Sequence, residues 1–176
     1  RRVLSRTEEF PFPILNHFYM ILRDPYYRWA AADWLPGRME AGLPDIPRNT
    51  FEDNAKKVFP EVLGPKTVTR YCRNILTALR DNGYLSGQVN KSIASPAVTV
   101  TALGYMLYTM KELGEGFNDF DGSPLFRALL KPRDLLVPLF REGEIRRWWE
   151  FTGDRSRLSG HFTLTGLDAF LEEALK

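Results

Sequence analysis

Between Gly64-Pro65 and Asn82-Gly83 the chain carries two opposed stripes on one helical period. Val68, Cys72, Ile75 and Leu79 recur at spacings of four, three and four, as residues do when one face of an α-helix lies in a core. Lys66, Arg70, Arg73, Thr77 and Arg80 keep the same rhythm on the other side. The spacing predicts a helix over 66–82, stopped by the left-handed turn that Asn82-Gly83 favours. Any fold built on this chain must cover the first stripe and leave a cationic face on the second.

Charge is concentrated around that helix. The 176-residue chain has a formal net charge of only +2, yet Lys66 to Lys111 holds six basic residues against the single acid Asp81. The local excess is five positive charges, so the rest of the chain is acidic by three, a contrast expected where one part of a protein faces a polyanion. Hydrophobic residues make up 44% of the chain, enough for a core. The lone Cys72 excludes an internal disulfide, and no cysteine cluster suggests zinc, so a reducing, cytoplasmic setting is expected. No apolar run approaches the length of a membrane span, and no membrane partner is expected.

The other elements are shorter. Phe10-Pro-Phe-Pro13 reads as extended, Ile14 to Leu22 as an apolar helix, and Asp24-Pro25 as the cap and first position of a helix from Tyr26 to Leu35. Pro36 to Pro47, with three prolines and two glycines, reads as a loop. Thr50 and Asp53 resemble a capping box opening a helix to about Phe59. Tyr84 to Thr101 reads as a hairpin ending in Val98-Thr-Val100, and Thr101 as the cap of a helix striped by Leu103, Met106, Leu107 and Met110. Asn118 to Ser123 is a turn cluster and the best candidate domain boundary. Helices follow at Leu125–Leu130 and Pro132–Arg141, then a strand from Ile145 released by Gly143, a second strand over Leu158–Leu164, and a last helix capped by Thr165.

The chain repeats this plan. Thr99, Thr101, Leu103 and Leu107 meet Thr163, Thr165, Leu167 and Leu171 at an offset of sixty-four, and aligning Gly83 with Gly143 sets the preceding helices at an offset of sixty. Helix, glycine, hairpin and Thr-capped helix in that order resemble the winged form of the helix-turn-helix. The expected fold is therefore mainly α with small β-hairpins: an N-terminal helical segment, then two tandem winged-helix-like modules, with domains at 1–118 and 119–176.

In such a module the helix over 66–82 is the one that enters the major groove of double-stranded DNA. Arg70, Arg73 and Asn74 have the side chains that pair with guanine or adenine edges, while Lys66, Thr67 and Thr69 suit phosphates near the helix start. Thr77 lies on the same face, and Lys91 at the hairpin tip can reach a neighbouring phosphate. In the second module the helix is largely apolar, and Arg155 and Arg157 at its wing are its candidate DNA contacts. Trp148 and Trp149 could stack on bases, although adjacent residues of a strand face opposite sides.

Chemistry of other kinds lacks a constellation. His17 and His161 fall on different elements without an acidic partner at ligand spacing, Cys72 lies on an apolar stripe, and Gly114-Glu-Gly116 follows a helix where a nucleotide loop follows a strand. No enzyme activity, metal or cofactor is expected.

The segment Arg73–Gly87, RNILTALRDNGYLSG, together with Ser95-Pro96, the helix GYMLYTM and the later LVPLFREGEI, resembles the BrxA-like accessory proteins of BREX bacteriophage-exclusion systems. The likeness covers about residues 65–150. It implies a non-enzymatic, DNA-binding protein that works beside other phage-defence proteins. A protein-interaction adaptor built on winged helices, and a winged-helix transcription regulator, are the alternatives.

Overall fold

The computed structural model describes residues 12–60 and 64–176 and is mainly helical, with two small antiparallel sheets. Helix α1 (Phe12–Arg23) opens the described chain and buries Ile14, Leu15, Phe18 and Ile21. Phe12 and Pro13 belong to its first turn, where proline's missing N–H costs nothing, so they are not extended; Phe10 and Pro11 lie outside the described residues. Asp24 caps α2 (Pro25–Trp29), its carboxylate accepting from the N–H groups of Tyr26 and Tyr27.

The expected loop from Pro36 is helical as far as Glu40. A π turn over Ala30–Trp34 leads straight into α3 (Leu35–Glu40). This turn is wider than an α-turn, and it brings Pro36 into the first turn of the next helix, where no donor is required. Strand β1 (Asp45–Ile46) follows, then α4 (Arg48–Val58). The capping box at Thr50 does not form, because extended Pro47 already holds the N-cap position as the chain leaves β1.

Helix α5 (Pro65–Asp81) matches the two-striped segment, with Val68, Cys72, Ile75, Leu76 and Leu79 buried. Each of the aliphatic side chains contributes about 1.5–3 kcal/mol of transfer free energy. At its C-terminus the N–H of Gly83 (φ 83°) reaches the carbonyl of Arg80, and that of Tyr84 reaches the carbonyl of Leu79. Strands β2 (Leu85–Ser86) and β3 (Lys91–Ile93) form the hairpin. Strand β1 pairs with the far edge of β3, so the sheet order is β1-β3-β2.

Helix α6 (Val100–Glu112) begins earlier than expected. Its cap is Thr99, whose hydroxyl accepts from the N–H of Ala102, so Thr101 is a buried first-turn residue and Val98–Val100 is no strand. A 3₁₀ turn over Phe117–Gly122 occupies the expected turn cluster, and Ser123 caps α7 (Pro124–Ala128). Helix α8 (Arg133–Ile145) runs on through Gly143. Strands β4 (Trp149–Phe151) and β5 (Gly160–Phe162) pair antiparallel, and α9 (Leu167–Ala174) ends the fold. Thr165 does not cap α9: Gly166 holds that position, and Glu112 of α6 supplies the acceptor for the N–H of Leu167.

Gly143 is no stop because its missing side chain makes room for a tryptophan. A Cβ there would stand 1.9 Å from the Trp149 ring, and one on Gly104 of α6 would stand 2.4 Å from Phe170 and 3.2 Å from Trp149. The two glycines let α6 and α8 close on one indole, whose N–H donates to the carbonyl of Phe140. Helix α8 instead stops at Arg147 (φ 62°). The N–H of Arg147 reaches the carbonyl of Glu144, and that of Trp148 reaches the carbonyl of Gly143. These are the two bonds of the α5 terminus moved by sixty-four residues. The repeat therefore keeps that offset through the helix, and the offset of sixty is overturned.

Candidate nucleic-acid interface

Helix α5 presents its basic side between the start of α4 and the β2–β3 hairpin. Lys66, Thr67, Arg70, Arg73 and Asn74 are exposed, and Thr77 is half-buried among them. Lys66, Arg70 and Arg73 make no ion pair or hydrogen bond among the described residues. Two described acids of these elements are engaged with other cations: Glu52 holds Arg48 at 2.8 Å, and Asp81 holds Arg80 at 2.7 Å.

The remaining candidates are placed differently. Thr69 turns toward α4 and donates its hydroxyl to Glu52 Oε2 at 3.1 Å, so it ties two helices together and is half-buried. Lys91 sits on β3 with its ammonium 2.6 Å from the carbonyl of Gln88, folded over the hairpin tip. Of the other cations in the basic stretch, Arg80 is held by Asp81 and Gln88. Lys111 donates to the carbonyl of Leu164 and lies over the Phe162 ring, away from α5. The five-charge local excess thus reduces to three cations on one helix face that are unpaired among the described residues, with Lys91 beside them.

A cleft of about 510 Å³ opens between these elements. It is lined by Arg48 and Asn49 of α4, Arg73 and Thr77 of α5, and Gln88, Asn90 and Lys91 of the hairpin. Sequence spacing missed Arg48 and Asn49, since it started α4 at Thr50. The signal that could have found them is Pro47, a residue suited to the start of a helix, followed at once by the polar pair.

In the second unit Arg155 and Arg157 are both exposed, on the loop joining β4 to β5. The Asp154 carboxylate braces that loop by accepting from the backbone N–H groups of Ser156 and Arg157. Trp148 and Trp149 are both buried and stack on no exposed surface, which corrects the expectation of base stacking. Trp148 precedes the strand and follows the left-handed turn at Arg147, so strand alternation does not govern it. It packs edge-on against Phe170 at 5.1 Å.

At the offset of sixty-four, α8 places Asp134 where α5 has Arg70, Val137 where it has Arg73, and Pro138 where it has Asn74. The basic stripe is not repeated. Two exposed cations of this helix and its end are instead paired, Arg141 with Glu144 and Arg146 with Glu142.

Cys72 is buried against α4, and burial raises its thiol above the ordinary value, as expected of an inert core cysteine. Among the described residues no group of three or more His, Cys, Asp or Glu could hold a metal ion, and no helix is long and apolar enough to cross a membrane. The chain matches no family model, no curated protein and no solved structure.

Proposed function

We propose that this is a non-enzymatic protein that binds double-stranded DNA through α5, with the first unit acting as a winged helix-turn-helix. The observation that carries it is the row of Lys66, Arg70 and Arg73, unpaired among the described residues on the outer face of a helix whose inner face is core. The order β1, α4, α5, β2, β3, with β1 closing the hairpin on the β3 side, supports a winged module. Arg70, Arg73 and Asn74 would meet base edges, and Lys66, Thr67, Thr77 and Lys91 phosphates or their surroundings. Thr69 would act indirectly, by holding α5 to α4. The likeness to BrxA-like proteins supports a role as an accessory protein beside other phage-defence components. In the second unit, Arg155 and Arg157 are the residues available for an auxiliary DNA contact.

Fluorescence anisotropy with a duplex at two salt concentrations tests this. Binding should fall steeply with salt, and Arg70→Ala and Arg73→Ala should each weaken it, by about 1–3 kcal/mol where the lost contact is a bidentate pair to a base. Absence of binding at low salt, or indifference to both substitutions, would overturn the proposal and favour an adaptor whose basic face meets an acidic protein.

A further inference from the structure

The cleft beside α5 concentrates positive charge from three separate elements. Arg48 comes from α4, Arg73 from α5 and Lys91 from β3, and no carboxylate is among the residues that line it. Glu52 offsets the charge of Arg48, but Arg73 and Lys91 meet no carboxylate among the described residues, so the hollow keeps a net positive charge that an anion would balance. Asn49 and Asn90, residues with neutral amide donors, are also among the lining residues. Arg48 is held in a way that suits an anion, because Glu52 accepts from its Nε alone and leaves the two terminal nitrogens of the guanidinium without a partner among the described residues. Glu52 is itself steadied by Thr69. Donors approaching from three sides match the tetrahedrally disposed oxygens of a phosphate better than the two coplanar oxygens of a carboxylate. The apolar parts of the lining, Ile46, Leu76 and Val89, suit a sugar carried with that phosphate, and the volume lies within the range of nucleotide-sized sites.

We infer that this cleft is a phosphate seat, with Arg48 and Asn49 as binding residues and Glu52 as the group that positions Arg48. The seat rests on the proposal above for the source of its phosphate, a backbone phosphodiester of DNA flanking the stretch that α5 faces. A free mononucleotide is the other source of the same chemistry.

The test uses the full chain with Arg48→Ala, Arg48→Lys and Asn49→Asp, all at exposed positions, and Arg70→Ala, which lies on the α5 face outside the cleft. Duplex affinity is measured by anisotropy from 50 to 200 mM salt, and amide shifts are followed by NMR on adding inorganic phosphate or thymidine monophosphate. If the seat holds a DNA phosphate, Arg48→Ala should lower the salt slope by about 0.9, a change of about 3.5-fold in the affinity ratio across that range. Arg48→Lys should keep the slope, and Asn49→Asp should weaken binding at both salts. If the source is a free nucleotide, thymidine monophosphate should shift the Thr77, Gln88 and Asn90 amides saturably in the parent protein and not in Arg48→Ala. Folded Arg48→Ala and Asn49→Asp proteins that leave both the slope and the nucleotide-induced shifts unchanged would overturn the seat. In that case a loss of DNA binding in Arg70→Ala would leave the DNA proposal standing. Conversely, nucleotide shifts that depend on Arg48 in a protein that does not bind duplex would keep the seat and remove the DNA proposal.

Discussion

His17 is a residue on which several separate elements converge. It is fully buried, stacked on Tyr84 at 3.5 Å, with Nδ1 2.8 Å from the Tyr27 hydroxyl and Nε2 3.2 Å from the carbonyl of Ala128. Asn82 donates to the Tyr27 oxygen, and Asn16 donates to Asn82. The Tyr27 proton is thereby directed at Nδ1, which makes Nε2 the protonated nitrogen of a neutral ring, donating to Ala128. One polar chain then joins α1, α2, the end of α5 and α7. Burial pushes the imidazole down to about 3 from an ordinary value of 6.5, against the opposing effect of the Ala128 hydrogen bond. The unfolded chain therefore binds a proton that the folded chain refuses. The stability this ring contributes is complete above pH 6.5 and is lost as pH falls toward 3, at about 1.4 kcal/mol per pH unit. Urea unfolding of the parent and of His17→Gln between pH 7 and 4 should show that difference in slope. Parallel profiles would mean that His17 titrates normally.

At the scale of elements, the pairing of α6 with α8 depends on an absence of side chains. Trp149 fills the space that a Cβ on Gly143 would need, and Phe170 fills the space at Gly104. Gly143→Ala should cost about 1–3 kcal/mol by overpacking, although alanine is the better helix former, and chemical denaturation with near-ultraviolet dichroism of the tryptophans will show it. A stabilised variant would mean that Gly143 is only a weak point in the helix. The same glycine shows why the helix boundaries were only partly legible. Asn82-Gly83 and Gly143 look alike as punctuation, yet Gly83 takes φ 83° after a helix while Gly143 lies inside one. The stop in the second unit falls on Arg147, a residue type that rarely adopts a positive φ and so carries no local signal. The Thr caps misled in the same way. Thr99 caps α6, but at the start of α9 the N–H of Leu167 is met by exposed Glu112 of the distant-in-sequence α6, which spacing alone cannot reveal.

Across the whole molecule the buried side chains form one cluster from Ile14 to Ala174, and Arg127 of α7 pairs with Asp33 in the π turn at 2.7 Å. With no break in that core, the chain should unfold in a single transition. Tryptophan fluorescence of variants keeping only Trp29 and Trp34, or only Trp148 and Trp149, should coincide with the far-ultraviolet dichroism curve, and separated midpoints would show two independently stable units. The sequence by itself determined the largely helical class, the extent and two faces of α5, and the presence of two hairpins. Each of these follows from local periodicity or from turn chemistry within a few residues. Only the tertiary structure decided which cations are free, because Arg80 and Lys111 are occupied by partners that helical spacing does not disclose, Lys111 by the carbonyl of a residue 53 positions away. It also decided that Trp148 and Trp149 are both core, and that Arg48 and Asn49 share a cleft with Lys91. A cleft is made by surfaces that meet in space, and no periodicity along one stretch of chain records that meeting.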